Sequence, residues 1–145
     1  MNFPDSLIES VGFVLNKTAQ RVVRLAEAKI AALDIQIKHV GVLAAIVERG
    51  PLSQKAVGET LLIDRTTMVQ LTDKLESLGL VERHPDPADR RVSVLHLTAA
   101  GETVYRRARS LVREAEAELL DCLSAADRRK LHLMLVRVLE QEKEG

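Results

Sequence analysis

The chain has 145 residues, 46% of them apolar, and its 21 basic and 21 acidic side chains leave no formal net charge. That apolar share is too high for disorder, and the length suits one domain, or one domain with an appended helical layer. With no net charge, the chain as a whole offers nothing to a polyanion, so any contact with nucleic acid must rest on local charge placement.

From the N-terminus, Pro4 is tolerated in a first helical turn, and Leu7, Ile8, Val11, Leu15, Val22, Leu25 and Ala26 trace one stripe to about Ala32. A helix of nearly thirty residues would span roughly 40 Å, too long for the central unit alone. Leu33–Gln36 breaks the pattern. Ile37, Val40, Leu43, Ala44 and Val47 restart it in a shorter helix that Gly50 and Pro51 stop. Ser53 then caps a short helix with Ala56, Val57 and Leu61 inward and Gln54, Lys55 and Glu59 outward.

Asp64 caps the next helix, which runs to about Leu78. Met68, Leu71, Leu75 and Leu78 share its apolar face, while Arg65, Thr66, Thr67, Gln70, Asp73, Lys74 and Ser77 occupy the rest. Gly79 supplies a left-handed stop. Strand-like Leu80–His84, a turn over Pro85–Asp89 and a second strand over Val92–Leu97 form a hairpin with Arg90 and Arg91 near its tip. Thr98 caps a long helix with a stripe through Val104, Ala108, Leu111, Ala115, Leu119 and Cys122. Ser124 with Asp127 opens a last helix, through Leu131, Met134, Leu135, Val138 and Leu139, that ends near Lys143. Long apolar stripes at both ends of the chain are most simply buried against a second copy, giving a twofold dimer.

This order suits duplex DNA. A helix about 10 Å across fits the major groove, where hydroxyl, amide and guanidinium groups read base edges. Thr66, Thr67 and Gln70 are the expected base readers, Arg65 reaches base or phosphate, and Lys74 touches phosphate a turn later. The helix start at Ser53 and Gln54, with Lys55, clamps a phosphate. Arginines on a narrow tip suit the minor groove, and two such units about 34 Å apart would match a palindrome.

Other chemistries find little support. Phe3, Phe13 and Tyr105 are scattered, so there is no stacking platform for single strands. The single cysteine, Cys122, forms no internal disulfide or cysteine-rich zinc site, and its stripe suggests a buried structural thiol rather than a redox switch. His84, His96 and His132 make no paired zinc motif. No glycine-rich phosphate loop or nucleophile elbow occurs, so no enzyme is expected and no cofactor or metal is called for. No apolar run approaches membrane-spanning length, and the expectation is a soluble, cytoplasmic protein. One alternative is a module with the same order of helices and hairpin that binds protein rather than duplex DNA, because Asp64, Asp73 and Glu76 weaken the field on the recognition side.

Gly50-Pro51-Leu52-Ser53-Gln54, Asp64-Arg65-Thr66-Thr67-Met68-Val69, Leu75-Glu76-Ser77-Leu78-Gly79-Leu80-Val81-Glu82-Arg83 and Asp86-Pro87-Ala88-Asp89-Arg90-Arg91, through Leu97-Thr98-Ala99-Ala100-Gly101, strongly resemble the MarR family of bacterial winged-helix regulators. The most specific part is the wing's acid, any residue, arginine, closed by Leu-Thr-x-x-Gly. The resemblance covers about Ile37 to Glu102. It implies a mainly α fold with a small β wing: a winged helix-turn-helix lobe over 35–98, flanked by dimerisation helices over 1–34 and 99–145.

It further implies a homodimer that represses, less often activates, genes beside its own, and that a small phenolic or other aromatic effector, an oxidant or a metal releases. Arg91 would enter the minor groove with Asp89 bracing the wing. His39 would border the effector cleft, although a lone histidine is more often a satisfied structural residue. Peroxide-sensing members carry a cysteine near the start of the first helix, and this chain has none there. Two positions depart from the pattern: Leu62 stands where the turn usually has glycine, with mild strain or another turn geometry as the consequence, and Gly58 lies inside a helix where alanine is commoner.

Overall fold

The structure is a computed structural model that describes residues 2–141. Helix α1 (Asp5–Ile8) leads into α2 (Val11–Ile30), a 3-10 turn (Ala31–Leu33), α3 (Ile37–Arg49), β1 (Leu52–Ser53), α4 (Gln54–Leu61) and α5 (Arg65–Ser77). Strands β2 (Val81–Pro85) and β3 (Ser93–Leu97), then α6 (Ala99–Leu119) and α7 (Ala125–Glu140), complete the chain. The antiparallel sheet has the order β1-β3-β2, with Leu52 opposite Leu95 and Arg83 also paired to Leu95 in register. The fold is thus mainly helical with a small β wing. The pairing of β1 to β3 was not read from the sequence, because two residues carry no period.

The first helix is not continuous. Ser10 takes an extended backbone and its hydroxyl accepts from the Phe13 amide at 3.3 Å, so a local cap stops α1 and restarts the chain as α2. At the other end, α6 stops at Leu119, and a turn in which Leu123 N–H donates to the Leu120 carbonyl delivers Ser124 to cap α7. Cys122 therefore lies in that turn and is exposed, not buried on a helical stripe. The expected helix end near Lys143 falls outside the described residues.

One core lies between α3, α4, α5, the sheet and the first half of α6. Leu43, Val57, Met68, Leu75, Leu95 and Ala108 meet there with little or no exposure. Two closures hold α5 against this core. Leu62 takes the left-handed conformation (φ 56°, ψ 41°), and Ile63 N–H returns to the Gly58 carbonyl at 2.8 Å. A Schellman closure needing a left-handed residue is thus made without glycine, which resolves the Leu62 departure as strain rather than as another geometry. At the far end Gly79 (φ 71°) does the same, with Leu80 N–H donating to the Leu75 carbonyl at 2.9 Å.

Gly58 is explained by packing. A Cβ there would stand 2.9 Å from Met68 Cγ and 3.0 Å from the Ile63 carbonyl oxygen, so glycine lets α4 and α5 close on each other. Gly101 is tighter still, because its Cβ would meet the Leu80 carbonyl oxygen, which anchors the start of α6 to the loop after α5. Away from the core, α1, the first half of α2 and much of α7 expose apolar side chains, among them Leu7, Val11, Leu15, Leu133, Met134 and Val138. No single helix among the described residues is long and apolar enough to cross a membrane.

Candidate nucleic-acid interface

Asp64 caps α5 as its position suggested. Its carboxylate accepts from the Thr67 amide at 2.9 Å and the Thr67 hydroxyl at 2.7 Å, and these two bonds hold it below the usual carboxylate range. The Thr67 hydroxyl proton is therefore spent on the cap, and only its lone pairs remain for another partner. Thr66 and Gln70, one turn apart, are exposed and share a stripe with Asp73. Arg65 is also exposed and makes no ion pair among the described residues.

Neighbouring elements frame that stripe. Ser53 Oγ accepts from Ala56 N–H at 3.0 Å and so caps α4, while Lys55 makes only a solvated pair with Glu59 at 3.8 Å. Gln54 Oε1 accepts from the Arg83 guanidinium at 3.4 and 3.5 Å. Lys74 lies elsewhere: it sits roughly 80° round the helix from Thr66 at about 100° per residue, and its ammonium pairs with Asp34 at 2.7 Å. Sequence placed Lys74 on phosphate, but the side chain is engaged at the junction of α2, α3 and α5.

The wing tip is built from short-range bonds. Asp86 N–H donates to the Val92 carbonyl and Val92 N–H to the Asp89 carbonyl, both at 2.9 Å, and Asp86 Oδ1 takes the Ala88 amide at 2.8 Å. Asp89 accepts from Arg91 three times: the backbone N–H at 3.1 Å, Nε at 3.0 Å and Nη2 at 3.1 Å. Arg91 thereby holds the Asp89 carboxyl below its usual range, yet its own side chain stays 90% exposed. Arg90 is exposed beside it. At the wing's base the His84 and His96 rings stack at 4.3 Å, with His84 Nε2 3.0 Å from Glu82 Oε2.

Two cavities lie behind the interface. One of about 490 Å³ is lined by Glu27, Asp34, Gln36, His39 and Lys74. Here Glu27 Oε1 accepts from Ile37 N–H at 2.8 Å and His39 Nδ1 accepts from Gln36 N–H at 2.9 Å, so both side chains secure the start of α3. Burial, and then the nearby Lys74 ammonium, push the His39 pKa down. The second cavity, about 360 Å³, has an apolar floor of Val40, Ala44 and Val112 with Arg109, Arg113 and Glu116 at its edge.

The sequence model of the MarR family matches residues 33–92. The transcriptional regulator HosA of Escherichia coli is 31% identical over 104 residues, a span of 72% of this chain and 76% of HosA. The chain belongs to the MarR family. Among solved MarR-like structures, the transcriptional repressor CouR bound to a 23-mer DNA duplex superposes with a TM-score of 0.87 at 28% identity, covering 96% of this chain and 99% of CouR. PcaV of Streptomyces coelicolor, a transcriptional regulator in complex with its natural ligand, gives a TM-score of 0.81 at 27% identity over 97% and 98% of the two chains.

In this MarR-family chain the sequence-predicted residues differ in how they are bonded. Thr66, Gln70, Arg65 and Arg90 are exposed with no side-chain partner among the described residues, Arg91 is bonded to Asp89 yet exposed, Ser53 and Thr67 are caps, and Gln54, Lys74 and His39 are bonded to neighbouring elements. Sequence reasoning missed a role for Arg83, which Asp73 and Glu76 grip from α5. The available signal was a strand arginine following a helix with acids three residues apart.

Proposed function

We propose that two copies of this chain form a transcriptional repressor that binds a palindromic duplex operator. In each copy α5 lies in the major groove with Thr66 and Gln70 toward base edges, and Arg65 and Arg90 contact phosphate or its neighbouring bases. Thr67, Ser53, Gln54 and Lys55 shape and charge the approach, and Lys74 holds the lobe together rather than touching phosphate. Residues 1–34 and 99–145 pair the copies, because the apolar side chains of α1, α2 and α7 lack cover in a single copy. Such a protein works where the DNA is, in the cytoplasm, and we assign it no catalytic step.

The observation that carries this function is Arg91. Asp89 anchors one edge of its guanidinium while the side chain stays almost fully in solvent, which leaves the remaining guanidinium donors open to a phosphate or a minor-groove edge. The pairing of Asp73 and Glu76 with Arg83 neutralises part of the acidic charge on this side and so weakens the charge-based support for a protein-binding module. Selection of bound duplexes from random DNA tests the proposal. An enriched inverted repeat is the expected result; recovery of no duplex above background rejects it.

The cavity between α3 and α6 suits an effector. Its apolar floor and two arginines match a small aromatic or phenolic acid. His39 has its Nδ1 occupied in the other cavity and is assigned to the start of α3 instead. A panel of aromatic acids should release the operator from the wild-type chain and not from Arg109→Ala; release that is equal in both proteins removes the assignment.

A further inference from the structure

The winged-helix elements converge on one side chain that none of the DNA contacts above uses. Arg83 leaves β2 and lies along the edge of α5, with only 23% of its side chain exposed. Its Nη2 donates to Asp73 Oδ1 at 2.6 Å, and its Nη1 to Glu76 Oε1 at 3.1 Å. Nη2 also reaches the Val69 carbonyl, Nε and Nη2 share Gln54 Oε1 at the start of α4, and the Arg83 amide donates to Glu76 Oε2 at 3.2 Å. One planar fork therefore ties the wing strand to Asp73 and Glu76 on one edge of the recognition helix, with the Val69 carbonyl and the first residue of α4 at the limit of its reach.

We infer that Arg83 is a positioning residue for sequence discrimination, setting the rotation of α5 about its axis so that Thr66 and Gln70 face the bases. The inference rests on the operator-binding function proposed above. Asp73 shares the stripe of Thr66 and Gln70, so a bond at Asp73 sets the angle of the reading face itself. Apolar packing of Met68, Leu71 and Leu75 into the core determines which side of α5 is buried, but packing is not directional. A guanidinium bonded at fixed angles to two carboxylates is. The same fork neutralises part of the acidic charge that would otherwise face phosphate, and it ties that setting to β2, hence to the wing that carries Arg91.

Lysine keeps the charge and loses the fork, which makes Arg83→Lys the informative variant. The operator recovered by selection and a scrambled duplex of the same length are titrated by fluorescence anisotropy, with the melting temperature checked by circular dichroism. Positioning predicts a folded Arg83→Lys dimer whose operator affinity falls at least tenfold, whose scrambled-duplex affinity changes less than threefold, and whose salt slope is unchanged. An equal loss on both duplexes, or an unchanged ratio between them, overturns the inference. If Arg83→Lys does not fold, the neutral cluster Arg83→Met/Asp73→Asn/Glu76→Gln is measured instead, and retention of wild-type discrimination in that protein overturns it equally. Failure of the wild-type chain to select any duplex would instead reject the operator function, so the two failures are distinguishable.

Discussion

Arg91, Leu62, Gly101 and His39 each turn a local geometry into a measurable effect. Arg91→Ala should leave the fold intact and reduce operator affinity by about 1–3 kcal/mol in a titration, the range of a lost groove contact. Leu62 is 89% exposed, so glycine there relieves the left-handed strain without removing packing. The relief of roughly 1–2 kcal/mol exceeds the added unfolded-chain entropy of roughly 0.5–1 kcal/mol, and denaturant unfolding should show a modest stabilisation of Leu62→Gly. Gly101→Ala should act in the opposite sense, losing about 1–3 kcal/mol or more, because the new Cβ runs into the rigid Leu80 carbonyl.

The His39 effect depends on pH. Its folded pKa lies below the ordinary 6.5, so at lower pH the unfolded chain takes up a proton that the folded chain refuses. Stability from this group is complete above about pH 6.5 and declines as pH falls, levelling off once folded His39 is protonated as well. Melting temperatures at pH 7.5 and 5.5 should therefore differ more in the wild type than in His39→Gln; equal differences would mean that His39 does not titrate between the two states.

At the scale of elements, α5 is the best-specified part of the molecule. Its cap at Asp64, its apolar spacing and its Gly79 stop each act on the residues next to them, and the helix forms between cap and stop as read. Removing the cap in Asp64→Ala should cost about 1 kcal/mol in unfolding experiments, and it should weaken DNA binding as well, because the freed Thr67 hydroxyl leaves the first turn less ordered. Helices α1 and α2 show where periodicity misleads. A continuous stripe spans Leu7 to Ala26, yet Ser10 stops the helix, because stripe patterns average over many residues and a cap acts at one. Cys122 fails as a stripe position for a related reason: it keeps the spacing but lies beyond the helix that would give spacing a meaning.

At the scale of the whole molecule, α6 joins α3, α5 and the sheet through the shared apolar core, and a few polar ties add to that packing. Lys74 to Asp34 links α5 to the loop before α3, Glu27 bonds the first amide of α3, and Lys29 pairs with Glu118 across α2 and α6 at 3.1 Å. The free apolar faces of α1, α2 and α7 need cover beyond this packing. Deleting 124–145 should strip apolar area from the dimer and abolish it in sedimentation experiments, with aggregation or monomer as the product; an active truncated dimer would show that α7 is not needed for pairing.

By itself the sequence determined the helices from α3 to α5, the hairpin, the order of the elements, the acid-and-arginine wing and the family they resemble, because caps, glycine stops and apolar periods are encoded over short stretches of chain. Tertiary structure alone decided which polar side chains remain free. Gln54 and Lys74 have the composition of ligand-binding groups but are bonded to partners 29 and 40 positions away, and Arg83 emerges as the residue linking α5 and β2, with α4 in reach. A spacing rule cannot distinguish an unpaired polar group from one bonded to a distant segment, since that depends on which surfaces the hydrophobic core brings within hydrogen-bond reach of each other.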